Sequence, residues 1–538
     1  MIAPDLCLYN GKIVSMDKYG TIKEAVAIKD GKIVQVGSFS EIKNAISDET
    51  TVIDLNGKTV LPGFIDAHQH IFQTGYNLMN VNCGKSSIRE IVTAIEEAAK
   101  EKENENEWII GWGLNEANIA EKRLPNADDL SHIPNPVYIT RFCLHTAVVN
   151  DKALSIAGIG DETPDPEGGE ILRNSDGSVK GILRETAMDL VKEYLPPYSI
   201  DSLKEAVKFA SDHYMKNGIT HVHEAGLGFL TGTMNELRAL VEMSLDGTLG
   251  IRMNGMILES YFEEAKQMGL LTGFGNDLFK IGAIKMFADG TLSGQTAAVN
   301  QRYTNSENNT GILIYSPEEL SEKIVASHKA GFQVAVHGIG DRAIEHILSA
   351  YEQALELFPR EDHRHRIEHC GIINQEILDR LKKSDIITVP HPGIVHFAGD
   401  TYKSVLNENV IKGLYAVKTL LDAGVLVAGS SDSPVIPCSP LIGMYTAMSR
   451  ESIQGDKIVP QESIPLYDAV KMYTINAAKA AFTESEVGSI EVGKFADLTI
   501  LPSGFMQYSA EEVKDAEIEM TVINGQVVYQ KELKMHNV

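Results

Sequence analysis

Cysteine is scarce and shows no pairing pattern. The 538-residue chain has five, Cys7, Cys83, Cys143, Cys370 and Cys438. None stands in a CxxC pair, and an odd, scattered set argues against a disulfide framework or a cysteine-built zinc knuckle. Long apolar runs are missing as well, so no segment is expected to span a bilayer. The first residues, MIAPDLCLYNG, lack the basic start and apolar stretch of a secretion signal. A reducing cytoplasm is therefore the expected compartment. Positive charge is in deficit: 48 Lys and Arg stand against 74 Asp and Glu, a formal net charge of −26. That balance argues against nucleic acid or an anionic membrane as partner, because both attract basic surfaces. A small-molecule substrate is expected instead. No low-complexity segment is present, and no repeat with a period of about 20–50 residues.

What is there reads as a soluble globular protein. Apolar residues make up 43% and charged residues 23%, and the length suggests about two or three domains. The chain is organised around Leu61 to His70, LPGFIDAHQH. Phe64 and Ile65 are strand formers behind the turn pair Pro62-Gly63. Alternate side chains of a strand point the same way, so His68 and His70 project together. Two converging imidazoles are half of a metal site. Two polar residues at a strand end, one packed and one solvated, would look the same, and the rest of the chain has to decide.

Residues 1 to 60 read as short strands and tight turns. LCLYNGKIVSMD, AVAIKDGKIVQVG and TVIDLNGKTV each place Asn-Gly or Asp-Gly between apolar alternations, a hairpin signal. The C-terminus repeats the style in ADLTILP and MTVINGQVVYQ. The two ends, 1–60 and 485–538, are expected to form one composite β-sandwich, with 61–484 as a single domain between them. That domain contains an excursion at about residues 75 to 200. The excursion opens on a helix with a capping box, Ser87 and Glu90, and carries Ile88, Ile91, Val92, Ile95 and Ala99 at helical spacing. A hairpin turning at Asp176-Gly177 lies near its end. The acidic run Glu101 to Glu107 is expected to be a solvated helix end.

From residue 200 strands and helices alternate. ITHVHEAG, IRMNGMI, AIKMFADG, QVAVHGIG, RIEHC, IITVPHPG and VLVAGSSD read as buried strands, and with the HxH strand make eight. Two of the helices between them are well punctuated. One has Ser316 as N-cap, Pro317 first and Gly331 after its end; another starts at Asp341 and turns Ile344, Ile347, Leu348 and Tyr351 inward. The fold class is thus α/β, a (β/α)8 barrel of the TIM type. In such a barrel the chemistry sits at the C-terminal strand ends. Strand one ends in His68 and His70, strand four carries Lys285, strand five ends in His337, strand six in His369 and strand eight in Asp432. Four imidazoles and a carboxylate at one mouth would be a costly cluster without a cation. Such ligands suit zinc, and also iron or manganese.

The motifs PGFIDAHQH, VVNDKAL, IKMFADGTLSGQTAA, QVAVHGIGDRA, HRIEHC, VAGSSDSPV and GSIEVGKFADLTIL resemble the amidohydrolase superfamily, in its YtcJ-like and N-substituted formamide deformylase-like branch. The resemblance spans nearly the whole chain. It implies two divalent metal ions, zinc foremost. His68, His70 and Asp432 would hold one, and His337 and His369 the other, with Lys285 carboxylated by carbon dioxide as the bridge. A carbamate needs a neutral amine, so the site must lower the lysine pKa. The other reading of Lys285 is an ion pair with Asp289 or a contact to an anionic substrate. The implied reaction is hydrolysis of a non-peptide carbon–nitrogen bond, an amide or N-substituted formamide, by a metal-activated hydroxide, with Asp432 as general base and then acid. Relatives often dimerise, so a homodimer is an expectation too.

Substrate contacts are assigned to His145, Asp289, Trp112 and His391. His145 lies on the excursion that could cover the mouth, where the family commonly has a glycine before the histidine and this chain has Leu144. Asp289 and Gly290 begin a loop after strand four. Trp112 and Phe142 are candidate apolar walls, and His391 and His396 follow strand seven. Gln295 stands where many relatives have an arginine. His221 and His223 imitate a second HxH but are expected in the barrel wall, and Arg342 is expected to position its helix or the nearby loop. One rival is a mononuclear deaminase on the same barrel. Such enzymes place a glutamate three residues after the strand-five histidine; here that position is Gly340, followed by Asp341. The other rival is a non-catalytic regulatory scaffold, which would tend to lose ligands, whereas every ligand position here is filled.

Overall fold

Apolar alternation makes strands of nearly all the segments read as strands, but the corners between them decide the pairing. The computed structural model describes residues 3–141 and 145–532. Phe142, Cys143 and Leu144 lie outside the described residues. The chain forms two compact units, Met1–Ile71 with Ser211–Val538, and Phe72–Ala210.

In the first unit, two of the three expected N-terminal hairpins are something else. Leu6–Tyr9 and Lys12–Val14 do not pair with each other. Leu6–Tyr9 runs parallel to Thr51–Asp54 in one sheet, and Lys12–Val14 runs parallel to Thr59–Pro62 in another. Asn10-Gly11 and Asn56-Gly57 are therefore two corners side by side, each carrying its strand from one sheet into the next. Asn10 and Asn56 take the left-handed conformation, φ 55 and 49°, which asparagine tolerates better than most residues. The Gly57 amide donates to the Asn10 carbonyl at 2.7 Å and ties the corners together. Asp30-Gly31 and Asn524-Gly525 do close antiparallel hairpins. The C-terminal strand Leu498–Leu501 pairs antiparallel with Thr59–Pro62. Leu8, Ile28, Val60, Leu498 and Val522 share one apolar cluster, so strands from both chain ends are packed together.

Seven parallel strands follow: β1 (Phe64–Gln69), β2 (Ile219–Leu227), β3 (Arg252–Leu258), β4 (Phe279–Phe287), β5 (Val334–Gly338), β6 (Arg366–His369) and β7 (Ile387–Val389). They lie in the order β7-β6-β5-β4-β3-β2-β1. The eighth expected strand is a segment, 426–433, with a single parallel bridge from Val427 to Thr388. It still closes the gap. Ala428 donates to the Thr388 carbonyl at 3.0 Å, and on the other side Ala67 donates to Gly429 at 3.1 Å and Asp432 to His68 at 2.8 Å. The ladder is broken because the Gly429 and Ile65 amides are taken by the Met472 and Tyr473 carbonyls. The result is an α/β fold around a nearly closed parallel barrel.

The helix Pro317–Lys329 has its full capping box from Ser316 and Glu319, and Asp341–Leu357 buries Ile344, Ile347, Leu348 and Tyr351. In the second unit, the helix Ile88–Lys100 buries Ile88, Ile91 and Ile95. Its box is only half formed. Ser87 accepts from the Glu90 amide, but the Glu90 carboxylate bonds the Ser86 amide at 3.0 Å instead of returning to Ser87. Gly169–Arg173 and Val179–Glu185 form the hairpin at Asp176-Gly177. Among the described residues no helix is long and apolar enough to cross a membrane, and Cys7, Cys83, Cys370 and Cys438 are free and buried.

A chain of neutral histidines sits at the N-terminal ends of β5 and β6. The Val334 amide donates to His365 Nδ1 at 3.0 Å, so His365 carries its proton on Nε2 and donates to His328 Nδ1 at 2.8 Å. His328 then donates from Nε2 to the Phe358 carbonyl at 2.6 Å. His363 donates to the Ser384 carbonyl and accepts from the His365 amide. Burial holds all three below the ordinary histidine range. The unfolded chain then binds more protons than the folded one below pH ~6.5, and stability falls as pH drops through that range. Each group contributes up to about 1.4 kcal/mol per pH unit. His365→Gln, whose amide reproduces one acceptor and one donor, is expected to flatten this dependence in denaturation midpoints taken from pH 7 to 5. An unchanged slope would remove the chain from the acid response.

Candidate metal centre

Three residues of LPGFIDAHQH, Asp66, His68 and His70, build one side of the centre. β1 carries His68 outward at its end, and His70 follows one residue beyond the strand. Asp66 accepts from the Ser431 hydroxyl at 2.5 Å and the Ser431 amide at 3.1 Å. That clamp, with the Asp432-to-His68 backbone bond, brings the Asp432 carboxylate over the histidine pair. Asp432 Oδ1 lies 3.4 Å from His68 Nε2 and 3.3 Å from His70 Nε2. Burial opposes its charge, but the neighbouring His68 and His70 rings outweigh that and hold it well below the usual carboxylate range. Burial likewise opposes a proton on His70, yet Asp432 and Glu224 raise it to about 9. A field that retains a proton there would equally favour a cation.

The other side comes from β4 to β7. His337, His369 and His391 lie ring to ring, with centroids 4.2 Å apart for the first pair and 4.3 Å for the second. His68 is 5.1 Å from His369 and 4.9 Å from His391. Two donor sets have all their ligand atoms within 4.8 Å of one another: His68, His70 and Asp432, and His68, His369 and His391. Lys285 is 1% exposed and its Nζ has no hydrogen-bond partner among the described residues; burial lowers its pKa to about 8. Among the described residues no ion pair joins Lys285 to Asp289; the Asp289 carboxylate lies 3.5 Å from His337 Nε2 instead.

The hydrogen bonds also say which nitrogen is available. A carboxylate only accepts, so His68 Nδ1, 2.5 Å from Glu368, carries the proton and Nε2 carries the lone pair. His337 Nε2 donates to the Gly290 carbonyl at 3.0 Å, which leaves Nδ1 free to bind. Burial pushes His337 down to about 4 and His391 to about 3, so both are neutral at pH 7.

The remaining assigned residues sit in different places. Both oxygens of Asp289 are engaged by backbone amides, those of Ala298, Ile339 and Gly340, at 2.8–3.0 Å. They shape the loop that carries Gly290. Trp112 and His145 belong to the second unit. The Trp112 indole donates to the Asn77 carbonyl at 2.6 Å, and exposed His145 is paired with Glu185 at 3.0 Å. His396 is held by the Glu451 carbonyl, His221 by Asn254, and Arg342 by the Thr310 and Gly311 carbonyls.

Two residues escaped the strand-end reading, Arg366 and Glu368. Arg366 grips both Glu368 oxygens at 2.7 and 2.9 Å and also reaches the Ala67 carbonyl and His223. All are buried. The signal was present in RIEH: opposite charges two apart on a buried strand face the same way and call for each other. Glu368 fixes the ring of His68 and makes Nε2 its only available donor. Removing such a partner typically weakens metal binding by about 10–100-fold. Glu368→Gln is expected to do so in a zinc titration against a competing chelator, and wild-type affinity would mean that His68 is oriented by packing alone. Glu368→Ala should also lose about 3–5 kcal/mol of stability, because it leaves the Arg366 charge buried without its partner.

The comparisons with known proteins place the fold in a family. Residues 51–529 match the amidohydrolase family. The chain is 32% identical over 536 residues to YtcJ of Bacillus subtilis, which bears the family's name, covering 97% of this chain and 99% of that one. It is 29% identical to the N-substituted formamide deformylase of Arthrobacter pascens, over 98% of both chains. The same fold occurs in the crystal structure of an uncharacterized metal-dependent hydrolase from Pyrococcus horikoshii, at a TM-score of 0.79 and 24% identity, covering 94% of this chain and 99% of that one. With a family match over residues 51–529 and a 32%-identical relative covered almost from end to end, the chain belongs to the amidohydrolase family.

Proposed function

We propose that the protein hydrolyses the carbon–nitrogen bond of a non-peptide amide or N-substituted formamide, with divalent metal ions, zinc foremost, and with Asp432 as general base and then acid. The observation that carries this reading is the Asp432 carboxylate placed 3.3–3.4 Å from two imidazole nitrogens at the barrel mouth. The donor set fits a metal centre: imidazole nitrogens and a carboxylate suit zinc, and the buried Lys285 Nζ has no hydrogen-bond partner among the described residues. His68, His70 and Asp432 would hold one ion, His337 and His369 the other, and Lys285, as its carbamate, would bridge them. Ions held there would polarise the substrate carbonyl and bring the pKa of water near neutrality. Asp432 then accepts a proton from the attacking water and delivers it to the leaving nitrogen. Water adds to the carbonyl carbon, the carbon–nitrogen bond breaks, and the products are a carboxylate and an amine. The full-length similarity to a deformylase favours formamides within this class.

One observation favours hydrolysis of an amide over deamination of a heterocycle. A Cβ on Gly340 would stand 1.9 Å from the Ala298 carbonyl oxygen, so the deaminase glutamate has no room there without moving backbone. Asp341 does not replace it, because one of its oxygens accepts from the Asn300 and Arg342 amides. Elemental analysis of the protein grown with bicarbonate and several metals, followed by amine release from a panel of amides and formamides, tests the reading. About two ions per chain and an amine product are expected. Ammonia released from an aminated heterocycle, with about one ion, would transfer the assignment to the deaminase. Chelation that lowers thermal stability and reveals no activity to lose would favour a scaffold.

A further inference from the structure

We propose that His391 is itself a metal ligand, offering Nε2 to a divalent cation on the His369 side of the centre. This rests on the metal-dependent reading above and adds a donor from the end of β7. Three steps lead to it. His391 stands two residues beyond β7 and is 1% exposed. Its Nδ1 is 2.6 Å from the Ser430 hydroxyl oxygen. Ser430 has one proton, and that proton goes to the Pro390 carbonyl at 2.8 Å. The hydroxyl oxygen therefore accepts from His391, and the imidazole proton sits on Nδ1. Nε2 is left with its lone pair.

That lone pair has no hydrogen-bond partner among the described residues and is buried. Its surroundings make it hard to satisfy by protein alone. Glu368 gives His68 the same tautomer, so His68 Nε2 is also a lone pair. Its ligand atom and those of His369 and His391 lie within 4.8 Å of one another. Nitrogen lone pairs cannot hydrogen-bond to each other, and a buried acceptor left without a donor is unfavourable. A cation satisfies them together. His68 Nε2 has one lone pair and serves one ion only. Its place beside Asp432 commits it to the His70 side, so His391 joins His369 and His337 as a donor on the other. The geometry differs from what a substrate contact alone would need, because the nitrogen points among imidazoles and Ser430 fixes it there. Ser430 thus acts as a positioning residue, working through the ring of His391.

The test uses the full chain, stripped with a chelator and titrated with zinc(II) against a competing chromophoric chelator. The wild type is compared with His391→Ala and Ser430→Ala, and metal-free melting of each is recorded beside the titration. The expected result is a weaker zinc equivalent lost, or weakened at least about 100-fold, in His391→Ala, and weakened about 10–100-fold in Ser430→Ala. Metal-free melting of Ser430→Ala should stay near that of the wild type. Should His391→Ala fail to fold without metal, Ser430→Ala still decides, since it leaves the imidazole in place and removes the group that orients it, while its metal-free melting reports any cost of the lost Pro390 bond. Zinc isotherms that superimpose on the wild type would overturn the proposal, and a raised KM with unchanged zinc binding would make His391 a substrate contact. A wild type that binds no zinc would instead overturn the metal-dependent reading on which the proposal stands.

Discussion

Asp432→Asn is expected to lower hydrolysis by about 10²–10⁴-fold, the usual contribution of a positioned general base and acid, in a protein that still folds and binds metal. The substitution is unusually clean. Asp432 has φ 59°, in the left-handed region, and asparagine is among the few residues that adopt it readily. The side chain keeps its shape and one carbonyl oxygen near His68 and His70, but it can no longer accept and return a proton. His68→Ala is the contrasting variant. It removes a donor common to both ligand sets and should abolish activity through loss of metal. Turnover and zinc content measured on both variants separate the two roles. Near-normal turnover in Asp432→Asn would take the proton transfer away from this residue.

Lys285→Ala is expected to lower metal content from about two ions per chain to about one, with partial rescue by short carboxylic acids that supply the missing bridge. The physical case lies in burial. The amine has no hydrogen-bond partner, and its Nζ lies 4.8 Å from the Phe287 ring centre. Desolvation brings its pKa to about 8, so about a tenth of it is neutral at pH 7. A neutral amine is what carbon dioxide requires. A lysine that stayed cationic beside two metal ions would repel them, so the two readings predict opposite effects. If Lys285 is carboxylated, its removal costs metal; if it is a fixed cation, its removal should leave metal content unchanged or higher. Elemental analysis of Lys285→Ala with and without propionate decides between them.

Much of the architecture is legible because its signals are local. β1 to β7 each show as short apolar runs between helices, and a parallel sheet buried on both faces requires such runs. The helix Pro317–Lys329 is announced by Ser316, Pro317 and Glu319, which act within one turn. The hairpin signal is less decisive. Asn-Gly specifies a left-handed backbone, and a corner between two sheets uses that conformation as well as a hairpin does, as at Asn10 and Asn56. The residue after the turn cannot say which strand it will pair with.

The centre divides along the same line. The sequence by itself determined the barrel rhythm and the chemical types at its strand ends, since periodicity and residue identity need no partner to be read. Only the tertiary structure decided which nitrogen of each histidine is available, because a tautomer depends on the group opposite. For His68 that group is Glu368, 300 positions away, and for His391 it is Ser430. Strand alternation alone would also send Glu368 and His369 to opposite faces. Both address His68, and His369 does so with φ 67°, a left-handed turn that ends the alternation and that no residue count could foresee.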